Sequence, residues 1–452
     1  MKVVIVGCGK IGTTIVESLS SKGHDVVAID SDPVVTTAIS NVYDVMCVCG
    51  SGTECDTLAD AGVEEAEIFA AVTGSDELNM LSCFMAKRMG AKHTVARIRN
   101  PELSDKNLGF IKHELDISLV VNPELLAAQE IFNILKLPSA INIETFSRRN
   151  FEMIELIIKP DSKLDGVSLA DLRKKYTGMF LICAVGRGDE VFIPGGDFVL
   201  KAGDKIGLTA APTEIQRLLK QLGILQKGAR SVMILGASRM AAYLTRLLVK
   251  SGNEVKVIEL DKKRCEDFSK TFPEATVIMG DGAEQDVLLE EGISDVDAFV
   301  ALTGMDEENI LISCFASSVG VPKVVSKINR GELSVMARNL GLDTVVSPKK
   351  TMADVIVWYA RAIRNSLDSN IETLYRLLDG RIEAIEFHVT SEFKYVNVPL
   401  KDLKTKNNIL IAGIIRGRRT IIPAGDDVIM PNDNVIVITT GKNVDELSDI
   451  LE

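Results

Sequence analysis

Apolar and polar positions follow two different rhythms along this chain. Within the first 100 residues, five short runs (3–6, 25–29, 45–48, 68–72 and 94–98) are almost continuously apolar, and longer stretches of helical periodicity separate them. A strand that is apolar on both faces has to be covered on both faces. This rhythm therefore predicts a parallel sheet with helices on each side, a Rossmann-like, doubly wound α/β domain. Beyond residue 139 the rhythm changes: short strands such as 180–185 flank Gly/Pro turns, and a helix over 213–222 closes the segment. That pattern predicts a compact α+β unit.

The whole pattern then returns. Val3-Val4-Ile5-Val6-Gly7-Cys8-Gly9-Lys10-Ile11-Gly12 reappears as Val232-Met233-Ile234-Leu235-Gly236-Ala237-Ser238-Arg239-Met240-Ala241. Gly50-Ser51-Gly52 returns as Gly280-Asp281-Gly282, and Thr73-Gly74-Ser75-Asp76-Glu77-Leu78-Asn79 as Thr303-Gly304-Met305-Asp306-Glu307-Glu308-Asn309. The offset stays at 229 or 230 positions through the first 100 residues of each copy. The α+β segment repeats as well, with Ile193-Pro194-Gly195-Gly196-Asp197 answered by Ile422-Pro423-Ala424-Gly425-Asp426, a strand at 409–415 and a closing helix over 444–451. The chain is expected to hold four domains in two tandem pairs: α/β over 1–138, α+β over 139–226, α/β over 229–368 and α+β over 369–452. Long helices at 124–137 and 349–367, entered through Pro123 and Pro348, lead out of the two α/β domains.

Charge narrows the field of partners. With 51 Lys plus Arg against 63 Asp plus Glu among 452 residues, the net charge is −12. That balance argues against nucleic acid, whose phosphates need a basic face, and against adsorption to anionic lipid. No apolar stretch reaches the roughly 18–20 residues that cross a bilayer. Met1 leads directly into a strand rather than into a secretory leader, so a cytoplasmic protein is expected. Eight cysteines are too few for a disulfide scaffold.

The candidate chemistry lies at the strand ends. Gly7-x-Gly9-x-x-Gly12 follows a buried strand and opens a helix, and Asp30 ends the next strand. In that context Gly7 permits a tight turn, Gly9 lets the backbone approach a pyrophosphate, and Gly12 permits close helix–strand packing. The helix N-terminus supplies N–H donors to phosphates, and Asp30 can accept both ribose hydroxyls while repelling a 2′-phosphate. NAD(H) or an adenine nucleotide such as ATP or ADP is expected, rather than NADP. Lys10, Ile11, Ser51, Gly52 and Thr73 are placed by the topology on the same crevice. Asp76 and Asn79 are read either as helix caps or as ligand contacts, and Arg97 either as a phosphate contact, together with Arg99, or as solvated.

The second copy keeps Gly236, Gly282 and Thr303 and carries Arg239 at the position of Lys10 and Glu259, one methylene longer, at that of Asp30, but Ser238 replaces Gly9, Asp281 replaces Ser51 and Lys327 replaces Arg97. Serine puts a side chain where phosphates come closest, so this second site is expected either to stand empty or to differ in ligand. His24, His93, His113 and His388 share no placement, and Cys47-x-Cys49 reads as a buried apolar pair in its strand rather than a metal site. Cys8 reads as inert packing. The sequence predicts binding without catalysis; an NAD-dependent oxidoreductase and a plain nucleotide-binding scaffold are the rival readings.

These motifs, together with Ala96-Arg97-Ile98-Arg99-Asn100-Pro101-Glu102, resemble the regulator-of-potassium-conductance (RCK, or KTN) family. The tandem arrangement is similar to that of the cytosolic regulatory subunits of Trk potassium uptake systems, over nearly the whole chain. The resemblance implies that the α+β units are RCK C-terminal subdomains and that Arg97 contacts phosphate. It further implies a homo-oligomeric ring, a dimer or tetramer, held at the inner face of the cell membrane by a membrane-embedded potassium transporter and gated by bound nucleotide.

Overall fold

The computed structural model describes residues 1–100, 105–146, 151–160, 162–176, 178–365, 371–378, 380–391, 393–440, 444 and 446–451. Pro101, Glu102 and the expected boundary at 368/369 lie outside them. The first module contains strands β1 (Lys2–Val6), β2 (Asp25–Asp30), β3 (Met46–Cys49), β4 (Ile68–Ala71), β5 (His93–Arg97) and β6 (Leu119–Val121). They form one sheet in the order β3-β2-β1-β4-β5-β6, and every pairing is parallel. The order reverses between β1 and β4, which opens a crevice at the carboxyl ends of the strands. Helices α1 (Lys10–Ser20), α2 (Pro33–Val42), α3 (Cys55–Asp60), α4 (Asp76–Met89), α5 (Asp105–Glu114) and α6 (Pro123–Lys136) connect the strands and leave the module.

The local sequence explains these elements. Val3, Val4 and Ile5 are fully buried, as are Ile68, Phe69 and Ala70, because helices cover both faces of the central strands. Ser75 caps α4 by accepting the Leu78 amide; Asp76 and Glu77 occupy its first turn, and Lys87 and Arg88 its last. The outer strand β3 departs from the expectation. It is an edge strand with only one neighbour, so Cys47 is half-buried and Cys49 exposed, not a buried pair.

The α+β module that follows holds β7 (Asn142–Thr145), β8 (Glu152–Ile157), β9 (Phe180–Arg187), β10 (Glu190–Phe192) and β11 (Lys205–Ala210), with α7 (Leu169–Lys175) and α8 (Pro212–Leu222). Its sheet is antiparallel, in the order β10-β9-β11-β8-β7.

The second α/β module repeats the first with β12 (Ser231–Leu235), β13 (Glu254–Glu259), β14 (Thr276–Met279), β15 (Ala298–Ala301), β16 (Lys323–Lys327) and β17 (Val345–Val346) in the equivalent order. Its helices are α9 (Arg239–Lys250), α10 (Lys262–Thr271), α11 (Gln285–Glu290), α12 (Asp306–Ser318), α13 (Gly331–Asn339) and α14 (Pro348–Asn365). The last module holds β18 (Ile371–Leu377), β19 (Ile382–His388), β20 (Ile409–Arg416), β21 (Arg419–Ile421) and β22 (Asn434–Thr439), again antiparallel. Where a closing helix was expected over 444–451, the chain makes a 3-10 turn at Leu447–Ile450, boxed by Glu446 and Asp449. Leu451 bridges to Thr405 immediately afterwards, so the segment ends before a helix can grow.

Contacts gather the chain into two compact units: residues 1–132 with 229–360, and 133–228 with 361–452. Each unit therefore combines one kind of module from both halves of the repeat. In the second unit, Phe146, Phe151 and Met153 share a core with Leu377, Ile382 and Ala384. The approach is close enough that a Cβ on Gly413 would stand 2.5 Å from the Phe151 ring. Among the described residues no helix is long and apolar enough to cross a membrane.

Candidate functional site

The turn between β1 and α1 is built around its glycines. Gly7 has φ +88°, and a Cβ there would lie 2.7 Å from the Thr73 backbone. A Cβ on Gly12 would come within 2.0 Å of the Gly7 carbonyl oxygen, whereas Gly9 has nothing within 4 Å of its missing Cβ. Gly7 and Gly12 are thus demanded by packing, and Gly9 faces open space. Gly9 is also the N-cap of α1, with no side chain closing the helix end, so the first-turn amides remain available to a ligand.

Asp30 shapes the far side of the turn. Its Oδ2 accepts the Cys8 amide at 2.7 Å and its Oδ1 the Asp32 amide at 3.0 Å. Each carboxylate oxygen has a further lone pair free to accept another donor. The Cys8 thiol is buried behind the turn; burial, followed by the charge of Asp30, pushes it up to about 12, so it stays a protonated packing group.

These residues open on a cleft of about 740 Å³, within the size range of small-molecule sites. The first module contributes Gly7, Gly9, Lys10, Ile11, Asp30, Ser51, Gly52, Thr73 and Arg97 to its wall. The second module contributes Ser238, Arg239 and Lys327 to the same wall. Sequence reasoning did not single out Glu124, Asn329 or Lys349, which also line it. Arg97 and Glu124 meet at 3.1 Å with side chains 11% and 18% exposed. Burial depresses the Arg97 guanidinium below its usual value, and the Glu124 carboxylate works against that. Among the described residues, Arg97 Nε and Glu124 Oε2 are buried without a hydrogen-bond partner, which leaves a donor and an acceptor for a ligand.

The other expected site residues stand behind the cleft wall. Asn79 is fully buried; its Oδ1 accepts the Thr73 amide at 2.8 Å and hydroxyl at 2.7 Å, and its Nδ2 donates to the Arg97 carbonyl at 2.8 Å. Asp76 accepts the Arg99 and Asn100 amides at 2.8 and 2.9 Å and pairs with the Arg99 side chain at 3.4 Å. Arg99 therefore turns to Asp76 and the Gly74 carbonyl rather than to the cleft. Asn79 and Asp76 hold the loops that carry Thr73 and Arg97.

Gly236, Glu259, Asp281, Gly282 and Thr303 are not on this wall. Glu259 repeats the role of Asp30 by accepting the Ala237 and Asp261 amides at 2.8 and 2.9 Å. Ser238 closes its own helix, its hydroxyl accepting the Ala241 amide at 3.3 Å. The second helix end is therefore capped where the first is open. None of the four histidines lines the cleft.

A tyrosine ties the two α/β modules together beside the site. Tyr243 on α9 donates to the Arg99 carbonyl at 3.1 Å and accepts from Asn122 Nδ2 at 2.8 Å. Tyr243→Phe should remove about 1–2 kcal/mol of stability by stranding both partners, measurable in urea denaturation. An unchanged midpoint would show that water replaces the hydroxyl.

The comparisons with known proteins bear on this architecture as a whole. The TrkA-N domain family matches residues 3–123 and 232–348, and the TrkA-C domain family matches 153–223 and 384–452. The chain belongs to the TrkA family. A Trk system potassium uptake protein TrkA homolog of Archaeoglobus fulgidus is 32% identical over 450 residues, covering 100% of both chains. Among solved structures, the GsuK RCK domain aligns with TM-score 0.65 and 16% identity over 98% of this chain and 93% of its own. The GsuK channel bound to NAD aligns with TM-score 0.64 and 16% identity over 97% and 77%. These two likenesses establish the RCK fold.

Proposed function

We propose that this protein is the cytosolic regulatory subunit of a Trk-type potassium uptake transporter, and that NAD(H) or an adenine nucleotide such as ATP or ADP binds its cleft to control transport. The observation that carries the reading is the first glycine turn: an uncapped helix end, open space at Gly9 and the Asp30 carboxylate on one cleft. The α1 amides would hold a pyrophosphate, Asp30 the ribose hydroxyls, and Arg97 a phosphate oxygen in place of part of its bond to Glu124. The names of the relatives supply the transport context, and the NAD-bound channel is a relative in fold whose ligand is a nucleotide.

A ligand controls a protein only by binding one conformation more tightly than another. The cleft wall comes from both α/β modules, so a bound nucleotide that touches both favours one placement of the modules over others. A homo-oligomeric ring would carry that change to the membrane-embedded partner through protein contacts, as the net charge of −12 disfavours anionic lipid.

Calorimetry with NADH, NAD, ATP and ADP, paired with potassium flux through a Trk-type membrane subunit in vesicles, tests the reading. Wild type should bind at least one nucleotide and show flux that depends on it. Asp30→Ala should weaken binding at least about tenfold and abolish that dependence. Nucleotide control that survives the loss of binding would refute the proposal.

A further inference from the structure

The two halves of the repeat carry opposite charges at one equivalent position. Glu124 follows Pro123 at the start of α6, and Lys349 follows Pro348 at the start of α14. One strand away, Arg97 at the end of β5 corresponds to Lys327 at the end of β16. In the first module the two groups neutralise each other across 3.1 Å. In the second module both are lysines, and no carboxylate stands in place of Glu124. Among the described residues, neither lysine forms an ion pair, and Lys327 makes one long hydrogen bond, 3.4 Å to the Leu302 carbonyl.

Both lysines line the same cleft as Gly9 and Lys10. Burial lowers both amines below the usual lysine value, and each also feels the charge of Lys10. The carboxylates in reach are Glu124 and Asp306 for Lys327, and Asp306 and Glu332 for Lys349. Glu124 is already held by Arg97, and Asp306 accepts the Asn329 and Arg330 amides at 2.9 and 3.0 Å. Like-charged ammonium groups gathered on one cleft are unfavourable alone and favourable around a multivalent anion. The second module has closed its own helix end with Ser238 while aiming these cations at the cleft of the first.

We propose that Lys327 and Lys349 form the polyphosphate end of the first module's nucleotide site, so that the cleft selects a nucleoside di- or triphosphate over a nicotinamide dinucleotide. The inference rests on the nucleotide reading above and adds the ligand class. A terminal phosphate places two or more negative charges among Lys10, Lys327 and Lys349. The oxidised nicotinamide ring places a positive charge there, and the reduced ring places none.

Calorimetry of the full chain with AMP, ADP, ATP and NAD tests this at two salt concentrations. Wild type should bind ATP at least about tenfold more tightly than AMP or NAD, with the gap narrowing as salt rises. Lys349→Glu, which copies the first module's residue, should erase most of that gap while leaving AMP affinity within about twofold, and Lys349→Arg should retain it. Lys327→Gln should reduce the gap on its own, which keeps the test decisive if the charge reversal at 349 does not fold. Binding of AMP and ATP with equal affinity by wild type would overturn this inference and leave the nucleotide reading standing. Equal weakening of both ligands in Lys349→Glu would overturn it in the same way. Failure of all four ligands to bind wild type would overturn both.

Discussion

Gly12→Ala is expected to unsettle the glycine turn and remove about 3 kcal/mol of stability, read as a shift of the urea midpoint. A Cβ at this position would stand 2.0 Å from the carbonyl oxygen and 2.9 Å from the carbonyl carbon of Gly7. Those atoms belong to a turn fixed from both sides, with the Gly7 amide bonded to the Ile29 carbonyl at 2.9 Å and the Cys8 amide to Asp30 at 2.7 Å. The turn has to move, and the proposed phosphate cradle moves with it, so nucleotide affinity should fall at least about tenfold as well. Gly9→Ala provides the contrast. Its methyl group would meet no atom within 4 Å, so stability should change by less than about 1 kcal/mol. The same methyl group occupies the space over the helix end, so nucleotide binding should be lost. Wild-type affinity in Gly9→Ala would show that phosphate does not lie against this turn. In the second module Ala241 stands at the position of Gly12 and is fully buried, so that turn already accommodates a methyl group.

The parts legible in the sequence were those set by local pattern. Runs such as Val3–Val6 had to be central parallel strands, and the glycine spacing with Asp30 placed the crevice, because size and periodicity act over a few residues. Three features depended on tertiary neighbours. Asp76 and Asn79 were ambiguous because a capping residue and a ligand contact look alike in sequence; the folded chain gives both to loop support. Glu124 carried no motif, and only the folded chain sets it against Arg97. The second copy reads as a separate site along the chain, yet Ser238, Arg239 and Lys327 lie on the wall of the first. Repeat alignment reveals which residues correspond, but not that corresponding modules pack into one unit.

Asp204→Ala and Asp433→Ala should each cost about 3 kcal/mol, because each removes one side of a paired charge in the small modules. Asp204 is 1% exposed in its side chain and receives two hydrogen bonds of 2.7 Å from Arg187, with a third of 2.8 Å from the Lys201 amide. Asp433 repeats the arrangement with Arg416 at 2.9 and 2.8 Å and the Met430 amide at 2.8 Å. Alanine leaves the guanidinium without its partner and the turn amide without an acceptor. Burial by itself would raise the Asp204 carboxyl. The Arg187 and Lys201 amide hydrogen bonds, with the charges of Arg187 and Lys201, outweigh burial and hold it below the usual carboxylate value. A carboxyl depressed in the folded state contributes stability that is complete above its unfolded value, about 3.9, and that fades as pH falls through the folded value. Wild type should therefore lose stability steeply below about pH 4, whereas Asp204→Asn should begin less stable at neutral pH and decline less over the same range. Denaturant midpoints of the two proteins between pH 7 and pH 3 measure the difference. Parallel declines would show that Asp204 does not carry the acid sensitivity.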